Sequence, residues 1–415
     1  MSVRVVWAVI VSICLLFATG CRTSAEIDDY SYAMMIGIDR AEGETGEYVF
    51  TYRIILPQAF AGDGKAKDEE KARIVSVKAS SLSESYKLVS LAMNRQINAT
   101  HIVGFVFSED VAKEGIYDIV SSMNKSVLFR NSVVLVVSQD AAKTFIEKNK
   151  APFEVFPSRW TESLRDNQMR SGAYFVSDAR QFYRQSREPL RAGVLTYAGI
   201  TEGGLKAGGK PVTPASEERG YTVETLPREG GSEAVAVGSA VFVDWKMVGT
   251  LTSTESLGGV MLKEVLRVPL DVVDPRGTGQ VYSFGVRTTL PKTDVRIENG
   301  RMIADITVDG VAEMMELRYE ADEQSGDVYT LLEEEIARAV TASVYAYLTK
   351  TKGWGADCVG LANHYRKSSS SLTDWSQRDW QSLYRDADIR VHTSIIIKRR
   401  GYHPGEMHGG DAFAM

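Results

Sequence analysis

Ile102-Val103-Gly104-Phe105-Val106-Phe107, then Ser108-Glu109-Asp110, then Val133-Val134-Leu135-Val136-Val137: these three short stretches carry the fold class. An uninterrupted apolar run of five or six residues between polar ends reads as a strand buried on both faces. Between the two runs, Ser108-Glu109-Asp110 opens a helix that turns Val111, Ile119, Val120 and Met123 inward. After the second run, Ser138-Gln139-Asp140 reads as the cap of another helix that continues through Phe145. Strand, helix, strand, helix predicts an α/β layer with parallel pairing.

Toward the amino terminus, residues 30–38 and 48–56 read as two strands of a hairpin around the polar, Gly-bearing 40–47. Residues 65–71 form a charged loop. Ser81-Leu82-Ser83-Glu84 fits a capping box, with Leu82, Tyr86, Val89 and Met93 at helical spacing behind it. Past the core runs, Pro157-Ser158 starts a helix with Trp160 and Leu164, Ser177-Asp178 starts one with Phe182, and 191–200 returns as a strand. These elements predict an N-terminal α/β domain over 21–196.

Residues 197–233 change character, with Gly203-Gly204, Gly208-Gly209, Pro211, Pro214, Pro227 and Gly230-Gly231. The glycines follow neither a Walker loop nor Gly-x-Gly-x-x-Gly, so the stretch reads as a linker or surface loop. A small middle domain is expected over 234–270, with strands 235–243 and 247–251 joined at Asp244-Trp245-Lys246 and a helical turn after Ser253-Thr254-Glu255-Ser256. A C-terminal domain is expected over 271–402. Its strands 266–273, 280–290, 294–298, 302–308 and 311–318, with Asn299-Gly300 as a hairpin turn, predict an antiparallel meander. The longest helix follows, over 327–350, where Leu332, Ile336, Val340, Val344 and Leu348 step by four and pack on that sheet. Glu333-Glu334-Glu335 on its early turns faces water and complements the helix dipole. Trp375 and Trp380 share a further helical piece, 387–398 is the last strand, and 403–415 is a flexible tail. The fold class is therefore α+β in three domains: an α/β layer, a small middle domain, and an antiparallel sheet packed on a long helix.

The first twenty residues read differently from the rest. After Arg4 comes the uncharged apolar run 5–17, then Ala18-Thr19-Gly20-Cys21. One basic residue, about 13 apolar residues and a small-residue cleavage site make a secretory signal over 1–20. Such a run is shorter than the roughly 20 residues of a membrane-spanning helix. Cys21 at the cleavage point matches a bacterial lipobox, with Ala18 where Leu is more usual; an ordinary signal peptide with Cys21 a bystander is the alternative. If acylated, Cys21 tethers a body that works outside the cytoplasm.

The net charge of -6 argues against a nucleic-acid binder. Of three cysteines, Cys14 leaves with the signal and Cys21 carries lipid, so Cys358 alone remains in the body and an internal disulfide framework is excluded. Cys358 has His364 six residues on but sits in the apolar string Cys358-Val359-Gly360-Leu361-Ala362, which reads as a buried structural thiol. Gly-x-Ser-x-Gly, His-Glu-x-x-His, a Walker loop and Cys-x-x-Cys do not occur. His403 and His408 with Glu406 and Asp411 form an acidic and histidine cluster in a Gly-rich tail, so neither a catalytic residue, a metal site nor a cofactor is expected. Asp39 reads as a strand-end residue bonding a turn rather than a catalytic carboxylate. Lys398-Arg399-Arg400 is either a solvated strand end or a contact to anionic lipid headgroups.

Several segments together resemble a known family. They are Glu26-Ile27-Asp28-Asp29 with Ile36-Gly37-Ile38-Asp39; Val237 to Val243 with Met247-Val248-Gly249 and Thr254-Glu255-Ser256-Leu257-Gly258; and Trp354-Gly355-Ala356-Asp357-Cys358-Val359-Gly360 with Trp375, Trp380 and Asp388-Ile389-Arg390-Val391. In that order they resemble the Ger(x)C family, the lipoprotein C subunits of spore germinant receptors. Arg22-Thr23 stands where the family often has Trp-Asp, and the 201–233 insert has no match in the pattern. The resemblance implies a non-enzymatic lipoprotein on the outer face of the spore inner membrane, anchored through Cys21. It would assemble with membrane-embedded A-type and B-type receptor subunits and serve nutrient-triggered germination. The alternative from another class is a solute-binding lipoprotein of a nutrient importer, which requires a ligand cleft between two similar lobes.

Overall fold

The computed structural model describes residues 3–4, 7, 30–43, 46–55, 72–93, 96–126, 128–149, 159–187, 189–202, 220–315, 326–368 and 372–398. Most of the signal segment, Cys21, the 65–71 loop, Pro157-Ser158, residues 203–219 of the Gly/Pro-rich stretch and the 403–415 tail lie outside the described residues.

The first part runs β1 (Tyr30–Arg40), β2 (Tyr48–Ile55), β3 (Ala72–Ala79), α1 (Leu82–Ala92), β4 (Gln96–Asn98), β5 (Gly104–Ser108), α2 (Glu109–Glu114), α3 (Tyr117–Lys125), β6 (Val134–Ser138), α4 (Ala142–Lys148), α5 (Arg159–Ser171), β7 (Ser177–Asp178), α6 (Ala179–Ser186) and β8 (Ala192–Ile200). Parallel pairing joins β1 to β5, β5 to β6 and β6 to β8, while β1, β2 and β3 are antiparallel. Strands β5 and β6 are buried along their whole length because successive residues feed two different cores. Phe105, Phe107, Leu135 and Val137 pack beneath α1, α2, α3 and α6; Val106, Val134 and Val136 pack against Phe145 and Ile146 of α4 and Leu164 of α5.

Three local readings are corrected. The helix expected after Ser108 is two, α2 and α3, broken where Gly115 takes φ 126° and Ile116 N donates to Trp245 O at 3.0 Å. Ser81 accepts the Glu84 N–H at 3.2 Å, but the Glu84 carboxylate accepts the N–H of Ser80 instead of returning to Ser81, so the capping box is half made. Helix α4 takes its cap from across the sheet: the Asp39 carboxylate accepts Ala142 N–H at 2.6 Å and Lys143 N–H at 2.9 Å, and Asp140 instead accepts Ile200 N–H at 2.7 Å.

The chain then adds β9 (Ala234–Val243) and β10 (Lys246–Leu251). Their turn places Asp244 at φ 51° and Trp245 at φ 68°, the left-handed pair of a tight hairpin. Strand β9 pairs antiparallel with β8, from Ala192 opposite Val243 to Ile200 opposite Ala234. The first sheet therefore has ten strands and continues across the boundaries expected at 196 and 234, because β8 offers an unpaired apolar edge that β9 covers.

The second part is α7 (Ser253–Met261), β11 (Arg267–Val273), β12 (Val281–Thr288), β13 (Lys292–Glu298), β14 (Arg301–Met314), α8 (Gly326–Trp354), α9 (Leu361–Ser368), α10 (Leu372–Gln377), α11 (Trp380–Arg385) and β15 (Asp388–Ile397). The two strands expected at 302–308 and 311–318 are one, β14. Its Gly310 is not a turn: a Cβ there would lie 2.7 Å from Ile395 and 3.0 Å from the Arg287 carbonyl, so glycine permits close strand approach. The meander is corrected as well. Strand β14 pairs with β13 along its first half and β12 along its second, and β15 runs parallel beside it, so the sheet is mixed.

Helix α8 packs on this second sheet as its stripe predicts, with Leu332, Ile336, Val340, Val344 and Leu348 buried together with Met302, Ala304, Ile306 and Val308 of β14. Glu333 does not face water alone: its carboxylate accepts Ile397 N–H at 2.8 Å at the free edge of β15. Trp375 and Trp380 sit on two separate short helices, with the Trp380 indole N–H donating to Trp375 O at 2.7 Å. The architecture is thus mixed α/β, two sheets with the long helix packed on the second.

Candidate functional site

The one residue the sequence nominated as a site, Cys21, lies outside the described residues. Of the segments that carry the family resemblance, 237–243, 247–249, 254–258 and 354–360 come together in space, whereas 36–39 lies apart in β1 and 26–29 lies outside the described residues. The four meet where β10, α7 and α8 join the first sheet to the second.

Glycine makes this junction close. A Cβ on Gly258 of α7 would lie 2.0 Å from the Ser343 carbonyl oxygen of α8, and one on Gly259 would lie 2.5 Å from the Tyr347 ring. On β10, Gly249 lies under the Trp354 indole, where a Cβ would be 2.4 Å away. Helix backbones this near allow only hydrogen at the contact.

Polar groups then lock the approach. Thr252 caps α7 with a complete capping box through Glu255, whose carboxylate accepts Thr252 N–H at 2.7 Å. The same carboxylate pairs with Lys350 of α8 at 2.8 Å, and Lys350 lies 5.9 Å over the Trp354 ring. The Ser239 and Ser256 hydroxyls are 2.9 Å apart, and Ser239 Oγ accepts Phe175 N–H at 3.0 Å.

The Trp354–Gly360 segment leaves α8 through Gly355, at φ 67°, and starts α9. Asp357 is buried, and its carboxylate accepts the N–H groups of Gly360, Leu361 and Ala362, each at 2.8 Å. Burial holds Asp357 above the usual carboxylate range, with those three donors opposing. Cys358 is buried beside it, its thiol donating to Gly193 O at 3.3 Å, and burial pushes that thiol up to about 12. At neutral pH it is a protonated thiol rather than a thiolate nucleophile. His364 is half-buried, and burial holds it below the usual histidine range.

Sequence reasoning missed Lys263. Its ammonium donates to Cys358 O at 3.4 Å and lies 5.5 Å over the Phe175 ring; burial holds it below the usual lysine range. The available sign was the Lys263-Glu264 pair set between Val260-Met261-Leu262 and Val265-Leu266. Nearby, the Thr351 and Tyr384 hydroxyls are 2.7 Å apart.

Each of these charged groups is engaged in capping a helix or bridging two elements. Among the described residues, no group of three or more His, Cys, Asp or Glu side chains is arranged to hold a metal ion. The cluster of His403, Glu406, His408 and Asp411 lies outside the described residues. Asp39 caps α4, as a strand-end structural role requires, and burial raises its pKa against the opposing N–H donors. Lys398 pairs with Glu313 at 3.7 Å; Arg399 and Arg400 lie outside the described residues. The geometry is that of a weld between two sheets.

Comparison with known proteins gives the weld a context. Residues 23–200 match the spore germination protein N-terminal domain, and residues 237–401 match the spore germination B3/GerAC-like C-terminal model. The two matches flank the Gly/Pro-rich stretch and together cover most of the chain. The chain is 22% identical over 408 residues to spore germination protein KC of Bacillus subtilis strain 168, covering 95% of each. It is 20% identical over 397 residues to the putative spore germination protein YfkR of the same strain, covering 94% of each. Among solved structures, the GerBC protein is similar at 15% identity and a TM-score of 0.48, with 88% of this chain and 97% of that one covered. The chain belongs to the GerAC/GerBC-like Ger(x)C family of spore germination proteins, a family of non-enzymatic germinant receptor subunits.

Proposed function

We propose that the chain is a lipid-anchored subunit of a nutrient germinant receptor, held through acylated Cys21 on the outer face of the spore inner membrane. Its partners there are membrane-embedded A-type and B-type receptor subunits. The observation that carries this reading is the apolar run 5–17 ending in Ala18-Thr19-Gly20-Cys21, joined to a body of the germination family. Among the described residues no helix is long and apolar enough to cross a membrane. Acyl chains on Cys21 bury at about 0.8 kcal/mol per CH₂, so two or three anchor a body stably.

Replacing the thiol tests the anchor. Cys21→Ala is expected to move the protein from the membrane fraction of spores to the soluble fraction and to slow nutrient-triggered germination. Retention in the membrane fraction at the wild-type level would remove the anchor from the reading. Mild-detergent purification of the wild-type protein is expected to bring two polytopic subunits with it, identified by mass spectrometry. Recovery of an importer permease and its ATPase would instead move the protein to solute uptake.

A further inference from the structure

The parallel strands β1, β5, β6 and β8 begin at one end of the first sheet and finish at the other, and the two ends differ in charge. Around the starting end, Arg73 at the foot of β3, Lys125 at the end of α3, Arg130 before β6 and Arg180 on α6 are all exposed. Arg180 N–H donates to Asn131 O, which sets α6 directly beside the Arg130 loop. Of the acidic residues at this end, Asp178 is engaged in capping α6 and Asp244 pairs with Arg191, while Asp118, and Glu162 on the first turn of α5, are exposed. The finishing end carries Asp39, Glu42, Glu109, Asp110, Asp140 and Glu202; of its basic residues, Arg40, Lys78 and Lys113 are paired with Glu114, Glu47 and Glu109, and Lys143 stands beside Asp39. A chain of net charge -6 thus keeps a basic end on one sheet.

The starting end also exposes apolar and amphipathic groups. Leu91 at the end of α1 is 74% exposed, and Leu128 is 38% exposed. Tyr30 and Tyr32 stand at the first residues of β1, with the His101 ring edge-on to Tyr32 at 5.5 Å. Rings with a polar tip and an apolar body suit a boundary between water and lipid.

We propose that the starting end of the first sheet is a membrane-facing surface, lying against anionic phospholipid headgroups. The inference rests on the Cys21 anchor proposed above, and the tether supplies the geometry. About nine residues separate Cys21 from Tyr30, a reach of roughly 30 Å when fully extended. Strand β1 then rises away for 11 residues, which adds about 35 Å before Arg40. The basic end is therefore the end the anchor brings to the bilayer, and the acidic end is carried away from it. Exposed Lys and Arg within a Debye length of an anionic leaflet are drawn to it, whereas carboxylates are repelled.

The test uses the full-length acylated protein in vesicles of phosphatidylcholine, with or without phosphatidylglycerol. A thiol fluorophore is placed at Leu91→Cys or at Glu42→Cys; buried Cys358 is shielded from the reagent. A quencher carried on the lipid headgroups is expected to quench the Leu91 label strongly and the Glu42 label weakly, with the contrast larger when phosphatidylglycerol is present. Changing Lys125→Glu, Arg130→Glu and Arg180→Glu together is expected to lower the quenching at Leu91 by roughly half on anionic vesicles while leaving flotation unchanged. Equal quenching of the two labels in a protein that floats overturns the orientation and leaves the anchor standing. Failure of the wild-type protein to float on neutral vesicles overturns the anchor itself, and the inference with it.

Discussion

The two sheets spend their residues differently. In β5 and β6 every residue is buried, because helices cover both faces of the first sheet. In β14 burial alternates: Met302, Ala304, Ile306 and Val308 pack beneath α8, whereas Ile303, Asp305, Thr307 and Asp309 are only partly covered. A strand with two covered faces reads as one apolar run, and a strand with one covered face reads as alternation. Where the sheets meet, hydrophobic pattern stops being informative and close contact through glycine takes over.

Breaking that junction should have the largest effect. Gly258→Val drives a side chain into the Ser343 carbonyl and is expected to cost more than about 4 kcal/mol or to prevent folding, read by urea unfolding of the purified chain. A loss under about 1 kcal/mol would mean that α7 and α8 can slide apart. Gly353, on the same long helix, has open space around its Cβ position, so Gly353→Ala is expected to leave stability unchanged or raise it by up to about 1 kcal/mol.

Next in size is Asp357→Ala, expected to cost about 3 kcal/mol, because three N–H groups at the start of α9 lose their acceptor inside the protein. Retained stability in this variant would show that water reaches the cap.

The difference between the sheets themselves is sharpened by neighbouring pairs. Val136→Ala and Val137→Ala, adjacent on β6 and facing opposite cores, should each cost about 2 kcal/mol. On β14, Ile306→Ala should cost at least as much, while Thr307→Ala stays within about 0.5 kcal/mol. Equal losses at Ile306 and Thr307 would mean that the outer face of the second sheet is covered.

The smallest effect is an acid one, in the hairpin between β11 and β12. Asp274 accepts hydrogen bonds from Arg276 and Thr278, and the Arg276 guanidinium holds its carboxyl down at about 2. Its unfolded value is about 3.9. The folded state thus binds this proton less readily, so the contribution is complete above about pH 4 and is lost as pH falls toward 2. Asp274→Asn is expected to flatten the acid limb of the stability curve in that window, measured by unfolding between pH 2 and pH 5. A limb of unchanged slope would remove Asp274 from it.

Local pattern and long-range contact divide the fold unevenly. The strands of the first hairpin, both central runs, the Asn299-Gly300 turn and the core stripe of α8 were legible because each depends on neighbours within a few residues. The cap of α4 was not: its acceptor, Asp39, lies about a hundred positions away, and the nearby Ser138-Gln139-Asp140 offered a plausible local substitute. The division of β14 into strands 302–308 and 311–318 failed for a similar reason, since Gly310 serves the close approach of Ile395, a residue far along the chain. The junction motifs were visible as Gly249, Gly258 and Asp357, but nothing local said that they meet.

By itself the sequence determined the α/β beginning, the long helix, the buried thiol and the family, since periodicity, capping residues and motif order are written along the chain. It also supplied the run that ends at Cys21. Tertiary structure alone decided that β9 and β10 extend the first sheet, that β15 lies parallel to β14, that Lys263 reaches the Cys358 carbonyl, and that Gly249, Gly258 and Gly259 weld α7, β10 and α8. Those outcomes depend on which edges and faces remain uncovered once the rest of the chain has packed, and that is a property of the whole assembly rather than of any segment.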